Sequence, residues 1–436
     1  MAQAIEPPAV PPGDPPTGPV APPDPTEQRT ACGIGTVFPG SRFQQRPAAD
    51  IMLNYSAAWA FSRGAGQKVA VIDTGVAPNP RLRALEAGGD YVSSSDGLVD
   101  CDAHGTLVAG LIAAAPGPDD AFAGVAPDAA ILSIRQNSDL YAAHGPGSAQ
   151  NDPNAVSPGY GNTHTLALAI VHAVDMGATV INLSEAACAP VGAAPDDGAV
   201  GQAVRYAFER NVVVVAAAGN LSPQGLCSAQ NEVRDPNLPL ADAWRSVTTV
   251  ASPAWFRDYV LTVGAVAPDA KPSEFSLHGP WVSLAAPGEQ LTSLSPNGPG
   301  LMNAWQDPQH GAVAVNGTSF AAPFVSGVVA LVRSRFPGMS AGEVMERIER
   351  TARMPDAGPN PATGYGVVDP VAALTAELPA AADRRDPFAG HAINVPRQRD
   401  PTSRRTRDIV LVVLATCAAM AVVTVVVTRG TARKPQ

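Results

Sequence analysis

From about residue 65 the chain alternates short apolar runs with longer stretches of helical spacing. Lys68–Asp73 (KVAVID), Ala130–Arg135 (AILSIR), Thr179–Ser184 (TVINLS), Val212–Ala217 (VVVVAA) and Val260–Val266 predict strands. Their apolar residues run without strict alternation, as expected of strands buried on both faces. His104–Ala115, Thr163–Met176, Val200–Arg210, Thr318–Phe336 and Ala341–Ala352 predict helices. Such alternation predicts an α/β fold with a mostly parallel sheet covered on both sides. Active sites in such folds gather at the C-terminal ends of the strands. Residues 137–162, rich in Gly, Pro, Asn and Ser, are expected to form a long exposed loop.

The pattern changes at both ends. Ten of the 44 prolines fall within residues 1–25, a stretch too rigid and too poor in apolar residues to pack as a unit. Ile409–Thr428 (IVLVVLATCAAMAVVTVVVT) is twenty residues without a charge, bracketed by Arg404, Arg405 and Arg407 before it and Arg429, Arg433 and Lys434 after it. Roughly 20 apolar residues are what a helix needs to cross hydrocarbon, so a transmembrane helix is expected. The expected division is an N-terminal extension over 1–64 and an enzyme domain over 65–377. A basic linker follows over 378–408, then a membrane helix over 409–428 and a short cytoplasmic tail over 429–436.

Charge excludes one class of partner. Residues 381–436 carry a net +6 and residues 1–380 a net −16. An acidic body is a poor match for nucleic acid phosphates, whereas the basic end suits anionic lipid headgroups. Of five cysteines, Cys417 lies in the apolar segment, which leaves Cys32, Cys101, Cys188 and Cys227. An even number implies two disulfides and an oxidising compartment, with three pairings open. An exported domain needs a leader. Ala2-Gln3-Ala4 has the small-x-small form of a cleavage site with no apolar stretch before it, so a leader upstream of Met1 is expected.

Three local motifs carry chemistry. Asp73-Thr74-Gly75 follows a strand, His104-Gly105-Thr106 opens an apolar helix, and Gly317-Thr318-Ser319-Phe320-Ala321-Ala322-Pro323 opens another. A serine hydroxyl becomes a nucleophile when an imidazole removes its proton, and a buried carboxylate holds that imidazole in the right tautomer. Ser319 at a helix start lies beside unpaired backbone N–H groups, and Pro323 is expected to be tolerated within the first turn. The run Val212–Asn220 ends on an amide that can donate to an oxyanion together with the Ser319 N–H. Alone, each motif is weak: Asp-Thr-Gly also marks aspartic proteases, which need two such loops, and Gly-Thr-Ser is an ordinary helix start. Together and in this order they specify a catalytic set. No cofactor is expected, and without a phosphate loop the chain does not read as an ATP-driven motor. No metal is expected either: His164 and His172 stand eight residues apart, and Asp100/Asp102 and Asp119/Asp120 read as plain acidic loops.

The motifs DTG, HGTLVAG, AAGN and GTSFAAP, in this order over about residues 65–370, resemble the subtilisin-like serine proteases; the Asp-His-Ser order is the known order of subtilisin. The Pro-rich arm, paired cysteines, basic linker and lone C-terminal helix resemble one branch of them, the mycosins of type VII secretion systems. That resemblance implies a subtilisin-like three-layer fold, protein or peptide substrates exported by the same system, and association with its membrane complex. It also implies an extension that wraps the protease, an extracytoplasmic (periplasmic-side) protease domain, and the pairings Cys32–Cys101 and Cys188–Cys227. A mainly structural role in the complex is the alternative. One departure stands out: many subtilisins follow the Asn-x-Ser strand with Leu-Gly-Gly, and here the chain reads Asn182-Leu183-Ser184-Glu185-Ala186-Ala187-Cys188.

Overall fold

Seven parallel strands form the centre of the fold: β1 (Lys68–Asp73), β2 (Leu85–Asp90), β3 (Ala130–Arg135), β4 (Val180–Leu183), β5 (Val213–Ala217), β6 (Val260–Val266) and β7 (Val282–Pro287). Their order across the sheet is β7-β6-β5-β4-β1-β3-β2. The computed structural model describes residues 5–144, 152–222, 227–232, 240–307, 310–355, 358–378 and 404–431.

Strand side chains point alternately to opposite faces, so an all-apolar strand serves two cores at once. Val69 and Val71 of β1 join Val180, Val213 and Val215 on one face, under helices α1 (His104–Ala113) and α4 (Thr318–Arg335). Ala70 and Ile72 join Ile181, Leu183 and Val214 on the other, under α2 (Thr163–Asp175) and α3 (Gly198–Glu209). Helices α1 and α4 are apolar nearly all round and are buried along almost their whole length, as such helices must be. Helix α5 (Ala341–Thr351) is amphipathic and begins in a capping box, in which Ser340 and Glu343 exchange side chain-to-backbone hydrogen bonds. Helices α2 and α3 belong to crossovers on the face opposite α1, and the chain leaves β1 and β4 toward opposite edges of the sheet. A crevice therefore opens at the C-terminal ends of β1, β4 and β5.

Two strands of the central sheet escaped the sequence pattern. Leu85–Asp90 (LEAGGD) has little intrinsic strand preference, yet it pairs in parallel with Ala130–Arg135 as β2 at the sheet edge. Val282–Pro287 closes the other edge as β7. Residues 137–162 also depart from the expected exposed loop. Asn137, Ser138, Val156 and Ser157 are buried, and Tyr141–Ala143 pairs antiparallel with Thr26–Gln28 of the N-terminal segment. Polar composition misleads here because the loop's groups have internal partners: the Ser138 hydroxyl donates to Asp102 Oδ2 at 2.6 Å, and Ser157 donates to Ser138 O at 3.2 Å. Residues 145–151 of that stretch lie outside the described residues.

The N-terminal segment contacts the enzyme domain at many points. Arg205 of α3 donates to the carbonyls of Pro11 and Gly13. Gly35–Thr36 pairs with the strand Ala304–Asp307. Cys32 is bonded to Cys101, and Cys188 to Cys227. The C-terminal residues form a separate unit, in which helix α6 (Arg404–Thr431) contains a stretch, Asp408–Val427, of length and hydropathy sufficient to cross a membrane. The expected linker falls mostly on residues outside those described.

Candidate active site

The strand β1 ends on Asp73, fully buried, and α1 begins on His104. Asp73 Oδ1 lies 2.7 Å from His104 Nδ1 and accepts the Thr74 backbone N–H at 2.7 Å. Gly105 makes this approach feasible, because any side chain there would collide with the Gly75 carbonyl and crowd Asp73 Oδ1. The Thr74 hydroxyl accepts from Gly105 N at 2.9 Å and donates to Asp100 Oδ1 at 2.8 Å, and Asp100 Oδ2 in turn accepts from Thr106 N at 2.8 Å. Asp100 and Asp102 are thus not plain acidic loop residues: they tie the His104 helix start to β1 and to Ser138. Asp120 likewise holds Arg81 at 2.9 Å. Among the described residues, no group of three or more His, Cys, Asp or Glu is placed to hold a metal ion.

Ser319 is the second residue of α4 and is buried to 5% exposure. The next residue, Phe320, lays its ring 4.7 Å, centroid to centroid, from the His104 imidazole. Pro323 sits deeper in the helix than the first turn in which it was expected. Lacking an N–H, it cannot satisfy the carbonyl four residues back, which is that of Ser319. The Ser184 hydroxyl takes that place, donating to Ser319 O at 2.9 Å. Ser184 is held by Asn182 Nδ2 at 2.8 Å, and Asn182 Oδ1 accepts from Ser326 at 2.8 Å. A buried polar chain therefore links the end of β4 to α4 at the serine and again at Ser326, about two turns further on.

Asn220 follows β5 and is exposed at the crevice. Its Oδ1 accepts from Thr318 N and Thr318 Oγ1, at 2.8 and 3.0 Å. A methyl group built on Gly317 would sit 2.8 Å from Ser319 Oγ and 3.6 Å from Asn220 Nδ2. The space that glycine leaves empty thus lies between the serine hydroxyl and the amide donor, where an oxyanion would form. The bonded pair Cys188–Cys227 packs behind it, with Cys227 Sγ 3.1 Å from the corresponding point on Gly219.

The structure therefore brings together Asp73, His104, Ser319 and Asn220, which lie far apart in sequence. It adds Glu185, which the sequence singled out only as a departure. Glu185 Oε1 stands 3.9 Å from His104 Nδ1, with the side chain 28% exposed. Burial pushes its carboxyl up to about 8 against the pull of His104, and Asp73, Asp139 and Asp102 push the same way. At His104, burial opposes the charged form. The charge and hydrogen bond of Asp73, with smaller contributions from Glu185 and Asp100, outweigh it and raise the imidazole above its ordinary value. No short-range sequence signal marks Glu185, because its meeting with His104 depends on β4 and β1 being neighbours.

Residues 64–366 match the model of the subtilase family, and the chain belongs to that family of serine endopeptidases. Within it the chain is of the mycosin type. It is 48% identical to Mycosin-4 of Mycobacterium tuberculosis (strain ATCC 25618 / H37Rv) over 386 residues, covering 87% of this chain and 81% of that protein. The crystal structure of MycP1 from Mycobacterium smegmatis superposes with a TM-score of 0.80 at 45% identity, over 86% of this chain and 96% of that one. A chain in the structure of an intact ESX-5 inner membrane complex is 43% identical, with a TM-score of 0.80, over 98% of this chain and 100% of that one.

Proposed function

We propose that the protein hydrolyses peptide bonds through an acyl-enzyme on Ser319. His104 takes the Oγ proton as the Oγ–carbon bond forms, then gives that proton to the leaving amine as the carbon–nitrogen bond breaks. Water, deprotonated by the same imidazole, releases the acyl group. Asp73 orients His104, and Asn220 Nδ2 with the Ser319 N–H receives the oxyanion. The observation that carries the reading is the 2.7 Å contact of Asp73 with His104, packed against the start of the helix that bears Ser319.

The substrates are proteins exported by a type VII secretion system, and the protein belongs with that system's membrane complex. The similarity to the ESX-5 chain, which covers the candidate membrane helix as well, supports this. Residues 65–377 form the peptidase domain on the periplasmic side, which the two disulfides favour, with residues 1–64 as an N-terminal extension whose described part lies along it. The same similarity also favours a second reading, in which the chain chiefly stabilises the complex.

Ser319→Ala separates the two. Labelling by a serine-reactive fluorophosphonate and cleavage of exported proteins are expected to vanish in this variant. Labelling that persists overturns the assignment of Ser319. If secretion continues without cleavage, and stops only when the whole protein is removed, the stabilising role is the main one.

A further inference from the structure

Glu185 is placed with unusual firmness for a partly exposed carboxylate. Ser184, before it, is buried and bound to Ser319 O, and Ala187, after it, is buried in the strand Ala187–Pro190, which pairs with Thr249–Ser252. One residue further on, Cys188 is bonded to Cys227. Glu185 thus spans a short bridge anchored at both ends, and its carboxylate is delivered to the crevice by backbone that has little freedom to withdraw it.

Its position relative to His104 is specific. Asp73 Oδ1, at 2.7 Å, takes the Nδ1 hydrogen, and Glu185 Oε1, at 3.9 Å, is too far to share it. What Glu185 offers is charge, carried once the pH passes the value of about 8 to which burial raises its carboxyl and before the raised titration of His104 is complete. At this separation, in partly desolvated surroundings, a carboxylate still acts strongly on an imidazolium. The other charged groups that act on His104 are also acidic: Asp73 at the end of β1, Asp100 before α1, and Asp139 after β3. Glu185 is the carboxylate that comes from β4, beside the nucleophile's own support.

We propose that Glu185 is a positioning residue for the hydrolysis: beside Asp73, it stabilises the His104 imidazolium by charge and sets the pH at which His104 becomes free to accept the Ser319 proton. It therefore has a role that the usual Leu-Gly-Gly wall could not supply. This rests on the triad reading above.

Glu185→Gln keeps the shape of the side chain and removes its charge. In the full chain held in detergent, the rate of fluorophosphonate labelling is followed against pH. That rate needs a neutral His104, so it rises with pH along an acid limb. Removing a negative charge lowers the His104 pKa, and the limb is expected to move down by about one pH unit. Glu185→Asp, which retains the charge, is expected to restore most of the parent profile. Glu185→Ala removes the same charge and substitutes for the amide variant if that one does not fold. An acid limb unmoved in the uncharged variants overturns the proposal. Ser319→Ala, run alongside, tells the two readings apart: if it still labels, the triad reading fails, and if it is silent while the limb does not move, only the role of Glu185 fails.

Discussion

The side-chain oxygen of Asn220 is held by Thr318 twice, through the backbone N–H at 2.8 Å and the hydroxyl at 3.0 Å. Both contacts use Oδ1, so the amide cannot turn over without losing them, and Nδ2 is left on the side of Gly317 and Ser319. The proposed donor is therefore fixed before any substrate arrives, as an oxyanion donor must be to act without reorganisation. Asn220→Ala is expected to lower kcat by about 10²–10³-fold with little change in KM. Steady-state kinetics on a peptide substrate checks this. An equal loss in KM alone would mean that Asn220 binds substrate and does not stabilise the oxyanion.

The disulfide behind that donor gives a second prediction. Cys188–Cys227 closes a separation of 39 residues, and its sulfur atoms pack against Gly219, next to Asn220. Replacing both cysteines by Ser is expected to cost about 4 kcal/mol of stability on the loop-entropy account. Turnover should also fall, since Gly219 loses its backing. Thermal melting and fluorophosphonate labelling measure the two effects.

Asp197 is a buried acid outside the site, and it links stability to pH. It accepts from Trp255 Nε1 at 2.7 Å, and burial pushes its carboxyl up to about 6. Unfolded, it would titrate near 4, at roughly 3.9. Between these values the folded state holds more protons than the unfolded state, so stability falls as pH rises from about 4 to about 6 and stays lower above. Asp197→Asn removes the titration and can keep the Trp255 contact through its amide oxygen. Relative to this variant, the parent Tm is expected to drop by about 2–5 °C across that window. A Tm difference that is flat with pH would show that Asp197 does not titrate there.

How the site was legible differs residue by residue. Asp73, His104 and Ser319 could be found because each sits in a local motif whose neighbours do mechanical work within a few positions. Gly105 admits the approach to Asp73, and Gly317 leaves the oxyanion space clear. Asn220 could be found because a five-residue buried strand, Val213–Ala217, runs nearly up to it. Glu185 could not, because its partner His104 comes from a different crossover. The buried face of residues 137–162 and the work of Asp100 and Asp102 were hidden for the same reason: polar residues look like solvent-exposed loop until their partners are known.

Local patterning along the chain was enough to specify the class of fold and to single out the residues proposed to react. Apolar strands alternating with helices admit few arrangements other than a parallel sheet covered on both faces, and the motifs occur where its strands end and its helices start. Which residues become neighbours comes from the packing in three dimensions. The order β7-β6-β5-β4-β1-β3-β2 places the end of β4 beside the end of β1, so that Ser184 reaches the Ser319 carbonyl orphaned by Pro323 and Glu185 reaches His104. Hydrogen bonds and charge act over a few ångströms in space and are blind to separation along the chain. Ser184 and Ser319 are separated by 135 positions, and the chain between them carries no local sign that the two will meet.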